Sequence, residues 1–155
     1  MYLAAILLVM LAGPAVSVAA EALLAPGATL WALIAKWFVF WLVGVRLFVA
    51  GLRQTVQPQY TAETIFEIAD PDARGLVREI GFGNLAIGTL GLCTLAVAGW
   101  TVPAALAGGL YYGLAGLGHI ARGKRNAIEN AALVSDVLAF LLLAAVVVSH
   151  VARGG

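Results

Sequence analysis

Five long apolar stretches constrain this chain more than any other feature: Leu3–Leu24, Leu30–Leu52, Ile80–Gly99, Val102–Ala121 and Ala131–Ala152. Each is close to the roughly 20 residues that carry an α-helix across a bilayer. In lipid the backbone must satisfy its own hydrogen bonds, and a helix does so within one segment. The alternating polar pattern of a barrel strand is missing from these stretches. The expected fold is therefore all-α, a polytopic transmembrane helical bundle in a single domain over residues 1–155.

Composition excludes the other classes. Hydrophobic residues are 63% of the chain, and its 18 glycines bring the apolar set to roughly 75%, against roughly 45–50% in soluble domains. A chain this small has too much surface to hide that many apolar side chains from water. Disorder needs the opposite composition. The net charge of +1 creates no field that calls for nucleic acid. Cys93 is the single cysteine, so no internal disulfide is expected. No spacing suits a zinc or iron–sulfur site, and no residue set points to catalysis, so the chain is not read as an enzyme.

The connections are short apart from 53–79. There Thr61 is placed to cap a short amphipathic helix, with Ile65 and Ile68 on one face, lying at the membrane surface. Asp70-Pro71-Asp72 reads as a fresh helix start, with Asp as N-cap and Pro at the first helical position. The first stretch carries Ala15-Val16-Ser17-Val18-Ala19-Ala20, which looks like a signal-peptidase site. Met1-Tyr2-Leu3 lacks the positive charge of a signal peptide, so the stretch is expected to stay as a helix, kinked near Pro14.

Orientation follows from the basic residues. Let side A be the N-terminal side and side B the opposite one. Arg53, Arg74, Arg78, Arg122, Lys124 and Arg125 fall on side A, whereas Arg153 and Lys36 fall on side B. The positive-inside rule then makes side A, and with it the N-terminus, cytoplasmic.

The charges within spans carry what chemistry the sequence holds. A charged side chain at a helix centre costs about 2.5–3.5 kcal/mol on insertion scales and so needs a partner or a wet cavity. Arg46 and Asp136 each lie about 12–14 Å from side A at roughly 1.5 Å per residue, which makes them a natural pair. Glu21 and Lys36 match in depth near side B and read as a structural ion pair. Helical spacing puts Glu129, Asp136, Leu143 and His150 on one face of the fifth span. Ala105, Gly109, Tyr112, Gly116 and His119 share a face of the fourth, and Asn84, Gly88 and Gly91 a face of the third. Turned inward, these faces make a polar chamber in the side-A half, lined by Arg46, Glu79, Asn84, Tyr112, His119 and Asp136. The same residues can instead fix helix register, as buried ion pairs do.

Glycines dominate the third and fourth spans. Gly81, Gly83, Gly88 and Gly91 are expected to face Gly108, Gly109, Gly113, Gly116 and Gly118, since a short turn joins the two helices. A haem clamp is not expected, because His119 lies near side A and His150 near side B.

Three blocks carry a family resemblance. They are Lys36-Trp37-Phe38-Val39-Phe40-Trp41 with Gly44-Val45-Arg46 and Gly51-Leu52-Arg53-Gln54; Glu79-Ile80-Gly81-Phe82-Gly83-Asn84-Leu85 with Gly88 and Gly91; and Ala107-Gly108-Gly109 through Gly118-His119-Ile120, followed by Ser135-Asp136. Together they resemble the small bacterial membrane proteins of domain-of-unknown-function family 6790 and, more loosely, the DoxX-type four-helix membrane proteins. The resemblance implies a four-helix DoxX-like core, the second to fifth spans, plus an additional N-terminal helix. It implies a bacterial cytoplasmic (inner) membrane. DoxX-like proteins are associated with quinone-linked or thiol chemistry, and a lone cysteine gives a thiol role no support here.

The expected function is binding of a small amphipathic ligand, a quinone or a lipid, in the polar chamber, as a carrier or accessory subunit. Arg46 would meet a ligand oxygen, Glu79 and Asp136 would balance its charge, and Asn84, Tyr112 and His119 would supply hydrogen bonds. Histidine is the side chain that changes protonation near neutral pH. The alternative is a structural protein that assembles as a homo-oligomer or within a larger membrane complex. A small proton-coupled transporter is the third reading.

Overall fold

The computed structural model describes residues 6–25, 27–123 and 125–154, and these are helical almost throughout. The expected start of the first span at Leu3 lies outside them. Five long helices follow one another: α1 (Leu8–Leu24), α2 (Leu30–Val56), α3 (Ala73–Leu95), α4 (Thr101–Ala121) and α5 (Ala127–Ala152). Among the described residues α2, α3 and α5 are long and apolar enough to cross a membrane. α1 is a shorter apolar helix. α4 is 21 residues long, but its glycines, two tyrosines and His119 dilute its hydropathy.

Two of these long helices carry widened turns. In α1 the segment Leu8–Ala12 has π-type hydrogen bonding, and the Gly13 amide reaches back to the Leu8 carbonyl. Pro14 follows, buried and with no amide to donate. The irregularity expected at Pro14 is thus a wide turn just upstream of it. In α2 the wide segment is Phe40–Arg46, in the middle of the helix.

Successive helices run antiparallel, as their contacts show. Trp41 packs on Gly13 and bonds Ser17, while Lys36 and Trp37 reach Glu21, so α1 and α2 run opposite ways. On α4 and α5 the pairs are Gly109 with Leu143, Gly113 with Phe140 and Gly116 with Val137. The central core is Leu42, Val43, Ala105, Tyr112, Ala139 and Leu143, with Met10 of α1 against it.

The glycine pairing differs from the expectation. A Cβ on Gly91 would fall on the Gly44 backbone, one on Gly88 on the Phe48 backbone, and one on Gly51 on Leu85 and Gly81. The α3 glycines therefore seat α3 on α2, not on α4. Gly108 receives Val43 of α2, while Gly109, Gly113 and Gly116 receive α5 side chains. Gly83 and Gly118 face no neighbour within 4 Å. The short α3–α4 turn does not force these helices together. Each finds a better-fitting partner elsewhere.

Within the side-A connection 53–79, α2 runs on to Val56, and the helix expected to start at Asp70-Pro71-Asp72 begins at Ala73 and continues into the third span. The strap between them, 57–72, holds the short helix Tyr60–Ile65. Thr61 does not cap it. Helical backbone begins at Pro58, and Thr61 is turned inward and buried. α3 starts later than the expected Asp70 N-cap and Pro71 first position: Asp72 is the N-cap, with no side-chain cap, and Ala73 the first helical residue, while Asp70 forms a turn ahead of it, its carboxylate accepting the Asp72 amide at 2.9 Å and its carbonyl the Ala73 amide. The strap is clamped to the α4–α5 turn. Arg122 donates to the Phe66 carbonyl at 2.7 Å and lies over the Phe66 ring. Asn126 donates to Glu67 at 3.0 Å, and Glu67 takes the left-handed backbone region with φ 56°. Asn126 also begins α5 through a reciprocal capping box with Glu129.

Candidate functional site

Arg46 leaves the wide turn of α2 about ten residues before that helix ends, about 15 Å deep at the helical rise. Its guanidinium donates to Asp136 Oδ1 at 2.6 Å and to Ser135 Oγ at 2.8 Å. It also lies over the Tyr112 ring, 4.6 Å from the centroid. The Sδ of Met10, from α1, stands 3.7 Å away. The other Asp136 oxygen faces His119 Nε2 at 3.8 Å. Side-chain exposure is 16% for Arg46, 13% for His119 and 9% for Asp136, so the charged groups are withdrawn from bulk solvent. Four helices meet here: α1, α2, α4 and α5.

The local sequence explains the convergence. Buried positions on α5 are Glu129, Ala132, Ser135, Asp136, Ala139, Leu143 and Val146, a three–four repeat that places Asp136 on the inner face. On α4 the inner face carries Ala105, Gly109, Tyr112 and Gly116. The Tyr112 hydroxyl donates to the Leu42 carbonyl inside the wide turn of α2, at 2.5 Å. That bond ties α4 to the segment bearing Arg46.

Asn84 lies on the α2–α3 seam, and its Nδ2 donates to Gln54 Oε1 at 2.7 Å. Tyr111 is beside it and within the field of Asp136 and Arg46. Asn84 Oδ1 is buried with no hydrogen-bond partner, and so is Thr55 Oγ1 on the same seam. A buried acceptor without a donor costs about 1–3 kcal/mol, and a water or a ligand hydroxyl would offset that cost.

Of the expected six residues, Arg46, Tyr112, His119 and Asp136 form one network, with Asn84 at its edge through Tyr111. Glu79 does not join. It is exposed, because the inner face of α3 runs through Val77, Gly81, Asn84 and Gly88. Two positions from Val77 and from Gly81, Glu79 points about 160° away from each, at 100° per residue. Sequence reasoning passed over Ser135, Gln54, Tyr111 and Met10. Ser135 had a signal, its place beside Asp136. The others become visible only once α1 and α3 are known to flank α2.

Glu21 and Lys36 pair as expected, at 2.8 Å, and Trp37 Nε1 donates to Glu21 at 2.6 Å. The side-B end of α1 is thus tied to α2. Among the described residues no group of three His, Cys, Asp or Glu side chains could hold a metal ion.

The chain matches no family model, no curated protein and no solved structure.

Proposed function

We propose that this chain is a five-span protein of the bacterial cytoplasmic membrane, with a cytoplasmic N-terminus, that binds a small amphipathic molecule at the Arg46 network. In this reading α2 to α5 form a DoxX-like four-helix core and α1 is an addition. The protein is a carrier or accessory subunit, not an enzyme. The ligand is a quinone or a lipid, with its polar end toward Asn84, Tyr111 and the Arg46–Asp136–His119 line.

One observation carries the reading: Asn84 Oδ1 is a buried acceptor with no donor, at the edge of a cluster of intramembrane ionisable groups. Ionisable groups at that depth are by default functional. The missing donor would be a hydroxyl of the ligand, which a lipid headgroup or the reduced (quinol) form of a quinone carries and an oxidised quinone does not.

A second reading has its own observation. Asp136 is already held by Arg46, and Arg46 by Ser135 and Tyr112 as well. Such a satisfied network fixes packing without a ligand, as an assembly protein in a homo-oligomer or larger complex requires.

Native mass spectrometry of protein released from its own membrane in gentle detergent separates them. The expected result is a reproducible small-molecule adduct that Asn84→Leu removes while the fold is retained. A defined oligomer or hetero-complex with no adduct overturns ligand binding in favour of assembly.

A further inference from the structure

α1 is held to the bundle unevenly along its length. Its side-B half is pinned to α2 by side-chain hydrogen bonds. Trp41 donates to Ser17 at 3.0 Å, Trp37 to Glu21 at 2.6 Å and Lys36 to Glu21 at 2.8 Å. Residues 6–12, toward side A, carry apolar side chains throughout. Their printed polar contact is a weak one, the Met10 Sδ acceptor 3.7 Å from Arg46 Nη1. In lipid, an apolar segment that leaves its partner loses packing but not hydrophobic burial. This half can therefore move at lower cost than the pinned half.

The two halves meet at a weakened point. Leu8–Ala12 is wide, and the Gly13 amide skips back to the Leu8 carbonyl. Pro14 has no amide to offer the Met10 carbonyl four residues back. Gly13 rests on the Trp41 ring, which a Cβ would meet at 2.8 Å. A wide turn, a proline and a bare contact with one indole make a pivot, and kinks in long helices fall at such places.

The loosely held half covers the Arg46 network. α1 rests mainly on α2, and its wide turn lies against the wide turn that bears Arg46. Met10 is 4% exposed and stands at the guanidinium, whose same Nη1 is 3.5 Å from the Ser135 carbonyl of α5. Leu7, Leu8 and Leu11, on the same turns, are exposed. Met10 is thus the cover of the network on the side where α1 faces lipid.

We propose that residues 6–12 form a lateral gate, hinged at Gly13-Pro14, that swings off the bundle and lets the polar end of a ligand reach Arg46 from the bilayer. The proposal rests on the ligand reading above and deepens it by giving the route of entry. Met10 closes the route when α1 is seated, and the side-B anchors keep the helix attached when it opens.

The test is the rate of reaction with N-ethylmaleimide in detergent, in a Cys93→Ala background. Ser135→Cys puts a thiol beside Met10 and Arg46. Val43→Cys, fully buried on α2 against Gly108 of α4, reports opening of the bundle as a whole. Ser135→Cys is expected to react faster than Val43→Cys. Adding Pro14→Ala gives position 14 an amide for the Met10 carbonyl, stiffens the hinge and slows the Ser135→Cys reaction about five-fold, the worth of one hydrogen bond. Adding Met10→Ala removes the cover and speeds it. Both changes leave the bonds at Ser17 and Glu21 in place, and far-UV circular dichroism confirms the fold. Ser135→Cys reacting no faster than Val43→Cys overturns the gate. So does a rate that neither Pro14→Ala nor Met10→Ala changes. No ligand enters this assay, so the two readings fail separately. A rate that responds to both changes in a protein with no native adduct supports the gate and removes the ligand. An adduct on a protein whose rate does not respond keeps the ligand and overturns the gate.

Discussion

At the scale of single residues, the Arg46–Asp136 pair decides most. Each charge would cost about 2.5–3.5 kcal/mol alone at this depth. Their 2.6 Å contact and the Ser135 hydroxyl offset that cost. Removing one partner leaves the other charge buried. Arg46→Leu and Asp136→Leu should therefore each destabilise the protein by about 3–5 kcal/mol, whereas the double variant should return to within about 1 kcal/mol of the parent. Thermal unfolding in detergent, followed by circular dichroism, reads this directly. Additive losses would mean that the pair is not coupled. That this pair would form was legible in the sequence, because depth along two spans can be counted from their ends. Glu79 was misplaced for a related reason: the face of α3 was read correctly from Asn84, Gly88 and Gly91, but Glu79, about 140° from Asn84 at 100° per residue, was added by depth alone. The partnerless Asn84 oxygen could not be foreseen, since satisfaction depends on which neighbour arrives, here Gln54.

At the scale of elements, the inner faces were legible and the pairings were not. Periodicity in α4 and α5 names Tyr112, Gly116, Asp136 and Leu143 as inward, and they are buried. Periodicity cannot say which helix a face meets. Nearness in sequence suggested α3 on α4, but backbone fit places α3 on α2, where Gly44 and Gly51 offer the complementary hollows. A Cβ at Gly91 would meet the Gly44 backbone, which cannot rotate aside as a side chain can. Gly91→Val should therefore force α2 and α3 apart and destabilise by about 1–3 kcal/mol or more. Gly83 lies on the same helix with nothing within 4 Å. Gly83→Ala should be neutral or stabilise by about 0.5–1 kcal/mol through backbone entropy. The two unfolding midpoints, measured side by side, locate the seam. Equal effects would mean that α3 does not pack as described. The strap boundary was missed because polar residues at Arg53 and Gln54 look like the end of a span, although the helix continues past them to Val56.

At the scale of the whole molecule, the question is how the bundle sits in its membrane. Antiparallel contacts put the strap, the α4–α5 turn and Arg78 at one end, and the α1–α2 and α3–α4 turns at the other. Basic residues gather at the strap end, and there they are also structural: Arg53 stacks on Tyr60, Arg74 pairs with Glu63 and Arg122 with Glu129. At the other end Lys36 is paired with Glu21, and among the described residues Arg153 has no acidic partner. The asymmetry predicts that the strap end is cytoplasmic. Cysteine labelling tests this, because Cys93 is the chain's single cysteine and can be replaced. In a Cys93→Ala background, Ala28→Cys and Gly99→Cys should react with an impermeant maleimide in intact cells. Asp70→Cys and Gly123→Cys should react only after the membrane is opened. Positions 28 and 70 flank α2, 70 and 99 flank α3, and 99 and 123 flank α4. The last pair matters most, since α4 is the helix whose glycines and tyrosines weaken its claim to cross. If 99 and 123 label from the same side, α4 does not span. Tyr112 and His119 would then approach Asp136 from a re-entrant segment, and the Arg46 network would open toward water instead of being enclosed by lipid-facing helices.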